Sequence, residues 1–278
     1  MRMQNSAEKN AKAGRDTEAA EPRGDTVQSL SRALNLLNRL AESDQGLTLS
    51  EAANRTGLAI STAHRLLSTL QRENFVRFEP ERGVWLIGVQ AFIVGSAFLR
   101  SRELTGIARP LMRQLMERSG ETVNLAVEDR GEAIYVAQIE CRKTMRAIAS
   151  PGGRAAMHAS GVGKALLAAM TEEEVERVIR ERGLPEATPR SIATRARLKA
   201  ELQVTRARGF AIDDEENAIG LRCVAAAIFD ETGRPAAALS LSGPKARITD
   251  DLLSPLGDQV RAVAGQITNQ IGGVNLIR

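Results

Sequence analysis

Two cysteines, two histidines, one tryptophan and one tyrosine are all that a chain of 278 residues offers of its rarer side chains. Each scarcity excludes something. Cys141 and Cys223 cannot build a disulfide framework, which fits a protein of the reducing cytoplasm. Aromatic residues at 3% leave no broad stacking platform for single-stranded nucleic acid. The apolar stretch Val84 to Leu99 is broken by Gly88, Gln90, Gly95 and Ser96 and is shorter than the roughly 18 residues of a membrane span, so no membrane partner is expected. No sign of charge dominates either. Basic against acidic residues number five to five in residues 1–26, seven to six in 27–87 and 26 to 23 in the remainder. Charge alone therefore names no partner, and any case for DNA binding must rest on a motif.

What is present is apolar material for two cores, at 43% hydrophobic and 26% charged. Residues 1–26 lack the apolar stretch of a signal peptide and read as a disordered arm. From Val27 to Ala41, Leu30, Ala33, Leu34, Leu37, Leu40 and Ala41 recur at three- and four-residue spacing, which predicts an amphipathic helix. Thr48 with Glu51 three positions on opens a second, short helix that closes near Gly57. A third runs from about Ser61 to Glu73, so two short helices meet across a glycine turn with helix-turn-helix spacing. Its Ala63, Leu66, Leu67 and Leu70 share one face. Ser61, Thr62, His64, Arg65, Thr69 and Arg72 occupy the rest, and hydroxyls, imidazole and guanidinium without an intervening carboxylate suit phosphates and major-groove base edges. Phe75–Phe78 and Val84–Ile87 then bracket a Pro/Gly turn as a wing, where Arg77 and Arg82 are backbone contacts or plain surface charges.

Residues 27–87 thus form a winged helix-turn-helix and residues 88–101 a linker helix whose stripe of Phe92, Ile93, Ala97 and Phe98 suits burial against a second copy. Residues 102–273 make a second domain and 274–278 a tail. In it, strands at 122–127, 133–137, 224–229 and 236–241 are segregated from helices at 103–117, 161–170, 172–182, 195–208 and 250–271. That pattern predicts an α+β class with a largely antiparallel sheet.

Four stretches of the second domain invite a chemical reading. His158 to Lys164 places Gly and Ser before a helix whose first N–H groups suit a small carboxylate, whereas a nucleotide loop needs Gly at His158 and Ser or Thr at Ala165. The acidic run Asp213 to Glu216 lacks the spacing of a calcium loop and reads as a solvated turn. Cys223 enters an apolar strand, the usual setting of a small core residue. Ser240 and Ser242 alternate with leucines, so both hydroxyls share one strand face. The readings left open are a regulator, a Cys-dependent enzyme acting on small carbonyl compounds with Cys223 as nucleophile and His158 as base, and a metal sensor using Asp213, Cys223 and His158.

Three ordered blocks decide among them. Leu58 to Leu70, Met157 to Ala165 together with Gly209 to Ala226, and Leu239 to Pro244 resemble the isocitrate lyase regulator (IclR) family of bacterial transcription factors, over about Val27 to Gly273. That resemblance implies no enzyme, no cofactor and no metal. It implies a GAF-like effector domain, a pseudo-palindromic double-stranded operator, and a homodimer or homotetramer. It also implies an effector such as glyoxylate or pyruvate. By position, Gly161 and Val162 hold the effector carboxylate, Asp213, Cys223, Ser240 and Ser242 line the polar side, and Leu221 adds apolar wall. Thr144, Ala147 and Ala155 stand where glyoxylate-binding members carry larger apolar residues, which makes room for a longer molecule such as succinate semialdehyde.

Overall fold

The computed structural model describes residues 27–101, 103–144 and 149–275, with only the backbone of 96–101 and 103. The expected arm, Ala147 and the last three residues of the tail lie outside the described residues. The chain divides into two compact units between Gly95 and Ser96.

The first unit runs α1 (Gln28–Ala41), β1 (Leu47–Thr48), α2 (Leu49–Thr56), α3 (Ile60–Arg72), β2 (Val76–Glu79) and β3 (Val84–Ile87), and α4 (Val89–Ser101) begins in it. At the start of α2, Thr48 Oγ1 accepts from Glu51 N–H while the Glu51 carboxylate accepts from Thr48 N–H at 2.8 Å, a reciprocal capping box. α2 stops at Gly57, whose φ of 65° lies in the left-handed region that only Gly adopts without cost, and α3 starts three residues later. The wing is a three-stranded sheet in the order β1-β3-β2, because two residues before α2 pair with Val84 and Trp85. Its tip is tied back by Arg82, which donates to the Gln45 carbonyl and side chain at 2.9 Å.

Beneath lies a core of Leu36, Leu40, Leu47, Ala52, Leu67, Val76 and Trp85. Each fully buried leucine contributes about 1.5–3 kcal/mol. This core corrects the face expected for α1. Leu36 is its anchor, while Leu30, Leu34 and Ala41 are exposed. Leucines lie on both sides of α1, and periodicity cannot rank them until α2 and α3 choose the buried side.

The second unit holds the rest of α4, then α5 (Glu103–Ser119), β4 (Thr122–Asp129), β5 (Glu132–Ile139), β6 (Arg154–Ala156), α6 (Gly161–Ala169), α7 (Glu172–Arg182), α8 (Arg195–Arg208), β7 (Ala211–Asp214), β8 (Leu221–Phe229), β9 (Pro235–Pro244) and α9 (Asp250–Gln270). The six strands form one antiparallel sheet in the order β6-β5-β4-β9-β8-β7. The two edge strands, β6 and β7, are only three and four residues long and too short to show a pattern in the sequence. α5 and α9 pack on one face through residues such as Met112, Leu125, Leu239, Val260 and Ile267. α6, α7 and α8 pack on the other, where Ala126, Ala211, Ala225 and Ala238 give a low floor. The alanines let α6 sit close to the strands. Gly163 lets the start of α6 pass close to the chain that leads into it, since a Cβ there would come within 2.4 Å of the Met157 backbone.

Candidate functional site

On the α6 side of the sheet the alanine floor gives way to polar residues. Register places Asp213 opposite Cys223, Cys223 opposite Ser242 and Ser240 opposite Asn124, so four neighbouring strands carry these side chains on one face. Asn124 Nδ2 donates to Ser242 Oγ at 3.1 Å and to Ser240 Oγ at 3.4 Å, and its Oδ1 accepts from Gln138 at 2.9 Å. Asn124, Ser240, Ser242, Asp213 and Cys223 are all buried.

The first turn of α6 closes over this patch. A Cβ on Gly161 would lie 3.3 Å from the Cys223 Cβ and 3.8 Å from the Asp213 Cβ. Ser160 caps the helix by accepting from Gly163 N–H at 3.1 Å, which leaves the N–H groups of Gly161 and Val162 without an intrahelical acceptor. The structure thus brings Gly161, Val162, Asp213, Cys223, Ser240 and Ser242 together. Leu221 opens β8 on the Cys223 side, half-buried, and Ala155 lies in the same core cluster as Val162. Thr144 is exposed in the segment after β5 and joins none of them. Separate cavities lie elsewhere in this unit: one of about 260 Å³ is lined by Ala165, Thr205, Phe210 and Arg261, and one of about 190 Å³ by Met157, His158, Arg182 and Pro185.

The acidic run is not the solvated turn expected from its composition. Asp213 is 1% exposed, and its Oδ1 accepts from the backbone N–H of Glu216 at 2.8 Å and of Asn217 at 3.2 Å. Oδ2 is buried with no hydrogen-bond partner. Burial, reinforced by the nearby Glu216 charge, raises the Asp213 carboxyl to about 7. Glu216 is buried as well and accepts from Lys164 Nζ, itself fully buried on α6. Composition misjudged this run because a turn can fold inward when its carboxylates find N–H groups and an ammonium.

Burial, then the Asp213 charge, pushes the Cys223 thiol up, so it stays protonated. His158 Nε2 lies 2.9 Å from the Pro185 carbonyl oxygen, and burial holds this imidazole below its usual range. A protonated thiol and an imidazole committed to a backbone carbonyl do not make the nucleophile and base of an enzyme. Among the described residues no three His, Cys, Asp or Glu side chains converge as metal ligands, so Asp213, Cys223 and His158 do not form such a set.

The sequence did not single out Asn124, Gln138, Tyr135 or Lys164. Strand alternation at Thr122-Val123-Asn124-Leu125 carried a signal for Asn124, and Lys164 is the one charged residue of the apolar α6. Tyr135 packs against the core on the α6 side of the sheet, and burial, then Cys223 and Asp213, pushes its hydroxyl up.

In the first unit, α3 buries Ala63 and Leu67 and half-buries Leu66 and Leu70 as expected. Ser61, His64, Arg65, Thr69 and Arg72 are exposed and Thr62 half-buried. Thr69 donates back to the Arg65 carbonyl at 2.9 Å. Arg77 is exposed beside Glu79.

Residues 29–80 match the family described as the IclR helix-turn-helix domain, and residues 96–269 that of the bacterial transcriptional regulator IclR C-terminal domain. The transcriptional repressor IclR of Escherichia coli is 48% identical over 95% of this chain and 97% of its own. The transcriptional repressor AllR of the same species is 39% identical over 88% of this chain and 91% of its own. A crystal structure of the Thermotoga maritima IclR superposes with a TM-score of 0.73 at 28% identity, covering 89% of this chain and all of that one.

Proposed function

The chain belongs to the IclR family of bacterial transcriptional regulators, as a repressor with a C-terminal effector domain and not an enzyme, and on that premise we propose how its two units divide the work. α3 lies in the major groove of a pseudo-palindromic, double-stranded operator, with His64 and Arg65 at base edges or phosphates and Ser61, Thr62, Thr69 and Arg72 beside them. A small carboxylate, a 2-oxo acid or semialdehyde such as glyoxylate, pyruvate or succinate semialdehyde, occupies the first turn of α6. One carboxylate oxygen takes the Gly161 and Val162 N–H groups, where the helix dipole favours negative charge. Ser240, Ser242 and Asp213 meet the remaining oxygens.

The observation that carries this reading is the convergence of a capped helix start and buried hydroxyls from β9 on one patch. Two copies of α3 are needed for a two-fold operator. On α4, Val89, Phe92 and Ile93 are exposed and apolar, as a surface covered by a second copy in a dimer or tetramer would be. Effector binding shifts the balance between assemblies that fit the operator and those that do not. No helix among the described residues is long and apolar enough to cross a membrane.

A gel-shift titration on the intergenic DNA beside the protein's own gene tests this, repeated with glyoxylate, pyruvate, succinate semialdehyde and 4-hydroxybutyrate. Release by one of them, lost in Ser240→Ala, is the expected result. Tight binding that none of the four affects overturns the effector assignment, and the absence of specific binding overturns the operator assignment.

A further inference from the structure

The polar patch holds more acid than base. Around the first turn of α6 the buried carboxyls are Asp213 and Glu216 and the buried ammonium is Lys164, two acids against one cation. Lys164 Nζ is spent on Glu216, its next carboxylate being Glu201 at 3.8 Å. The backbone carbonyl of Glu216 is held by Ser191 Oγ at 2.7 Å and Thr188 Oγ1 at 3.3 Å, which fixes the backbone of this turn. Asp213 has no cation of its own. Its Oδ1 is saturated by two backbone N–H groups, and its Oδ2 is buried without a partner beside the start of α6. An anionic ligand entering here would raise the imbalance to three negative groups against one positive, in a buried setting that screens them weakly. Buried like charges at such range do not coexist; a proton joins one of them.

We propose that Asp213 is the group that takes this proton: it enters the effector complex as a carboxylic acid, donates from Oδ2 to an oxygen of the ligand, and so couples effector binding at alkaline pH to the uptake of one proton. This deepens the effector reading and rests on it. The proton goes to Asp213 rather than Glu216 because Glu216 has the Lys164 ammonium against it. It also meets a chemical need, since a carboxylate Oδ2 only repels the ligand, whereas a protonated one completes the ring of donors formed by the α6 N–H groups and the two serine hydroxyls. The effector class narrows accordingly to carboxylates that carry a further oxygen acceptor, carbonyl or hydroxyl, near the acid group.

The other groups that face Asp213 do not supply the proton. Cys223 on β8 and Tyr135 on β5 are both pushed up and remain protonated at these pH values. Lys164 on α6 acts to lower the Asp213 carboxyl, but burial outweighs it. His158, held against the Pro185 carbonyl, is pushed down by burial and is neutral at alkaline pH. The raised Asp213 value sets the window. Below about 7 the acid is already protonated in the free protein and binding takes up no proton, while above it each bound ligand brings one with it.

The test is calorimetric titration of the full chain with pyruvate and with glyoxylate, which stay anionic throughout, at about pH 6 and about pH 8.5 in buffers of different ionisation enthalpy. The expected uptake is close to one proton per ligand at the higher pH and close to none at the lower. Affinity falls about tenfold per pH unit above neutrality. Asp213→Asn keeps the acceptor for both backbone N–H groups and is expected to show no uptake and a pH-independent affinity, with its fold checked by thermal melting. Binding by the wild type at high pH without proton uptake overturns the coupling and leaves the effector site standing. Uptake that survives in Asp213→Asn and vanishes in Glu216→Gln overturns the assignment to Asp213. If neither probe binds at any pH, the effector site itself falls, and the coupling with it.

Discussion

The two units handle their chemistry-bearing side chains in opposite ways. In the first, Ser61, His64, Arg65, Thr69 and Arg72 stand exposed on one helix, carried by a core that contains none of them. In the second, Asn124, Asp213, Cys223, Ser240 and Ser242 are buried and come from four strands, with Asn124 bonded to both serines and Asp213 to the backbone of its own turn. A surface that reads a large polyanion needs donors in solvent, where losing one costs binding and not folding. A site that closes around a small molecule removes its donors from water, so each must be satisfied by the protein or by the ligand. A substitution on the exposed face of α3 should therefore act on binding alone, whereas one that strands a buried charged partner in the second unit should act on stability.

The largest test of that contrast is Lys164→Met. It strands the buried Glu216 carboxylate without its ammonium and is expected to cost about 3–5 kcal/mol, read as a lower midpoint of denaturant unfolding. Adding Glu216→Leu should recover most of the loss, because an apolar pair of similar size needs no charge balance. If Lys164→Met is as stable as the wild type, the buried pair is not what holds α6 to the Glu216 turn. Next comes Arg65→Ala, on the exposed face of α3. It should leave unfolding unchanged and weaken operator binding by about 1–3 kcal/mol in a gel shift. Loss of effector binding in the same variant would break the contrast outright.

The contrast also explains what could be read in advance. α3 and its polar face were legible because a helix places its functional residues at a fixed period, and Ala63, Leu66, Leu67 and Leu70 announce the opposite side. Ser240 and Ser242 were legible for the same reason at period two. What one sequence could not show was which strands lie side by side. Asn124 reaches Ser240 across 116 positions, and no local pattern encodes that pairing. Family likeness supplied Asp213 and Cys223, whereas composition alone set the acidic run in solvent. Lys164 was visible as a lone charge in an apolar helix, but the reason for it, Glu216 folded inward, came only with the structure.

A smaller effect is expected at Ser240. Ser240→Ala removes one hydroxyl that Asn124 contacts, and Asn124 keeps its shorter bond to Ser242, so folding should change little. Effector affinity should fall about tenfold, near 1.4 kcal/mol, as for a lost hydrogen bond to a charged group. Operator affinity without effector should stay put. The measurement is calorimetric binding beside a gel shift of the free protein, and a fall in operator affinity would mean that Ser240 holds the unit together and does not meet the ligand.

The smallest effect belongs to the first unit, and it shows where that unit does keep a constraint. Gly57 ends α2 in the left-handed region, with its N–H directed to the Ala53 and Asn54 carbonyls and open space where a side chain would go. Gly57→Ala therefore meets no clash and tests backbone conformation alone. It is expected to cost about 1 kcal/mol, and Gly57→Asn less, since Asn tolerates positive φ better than other residues with a side chain. Because the turn sets the angle at which α3 leaves α2, operator affinity in Gly57→Ala should fall further than the loss of folded protein explains, while effector affinity is untouched. A gel shift corrected for the folded fraction separates the two. If affinity tracks the folded fraction, α3 is aimed by its core contacts, and the turn only connects the helices.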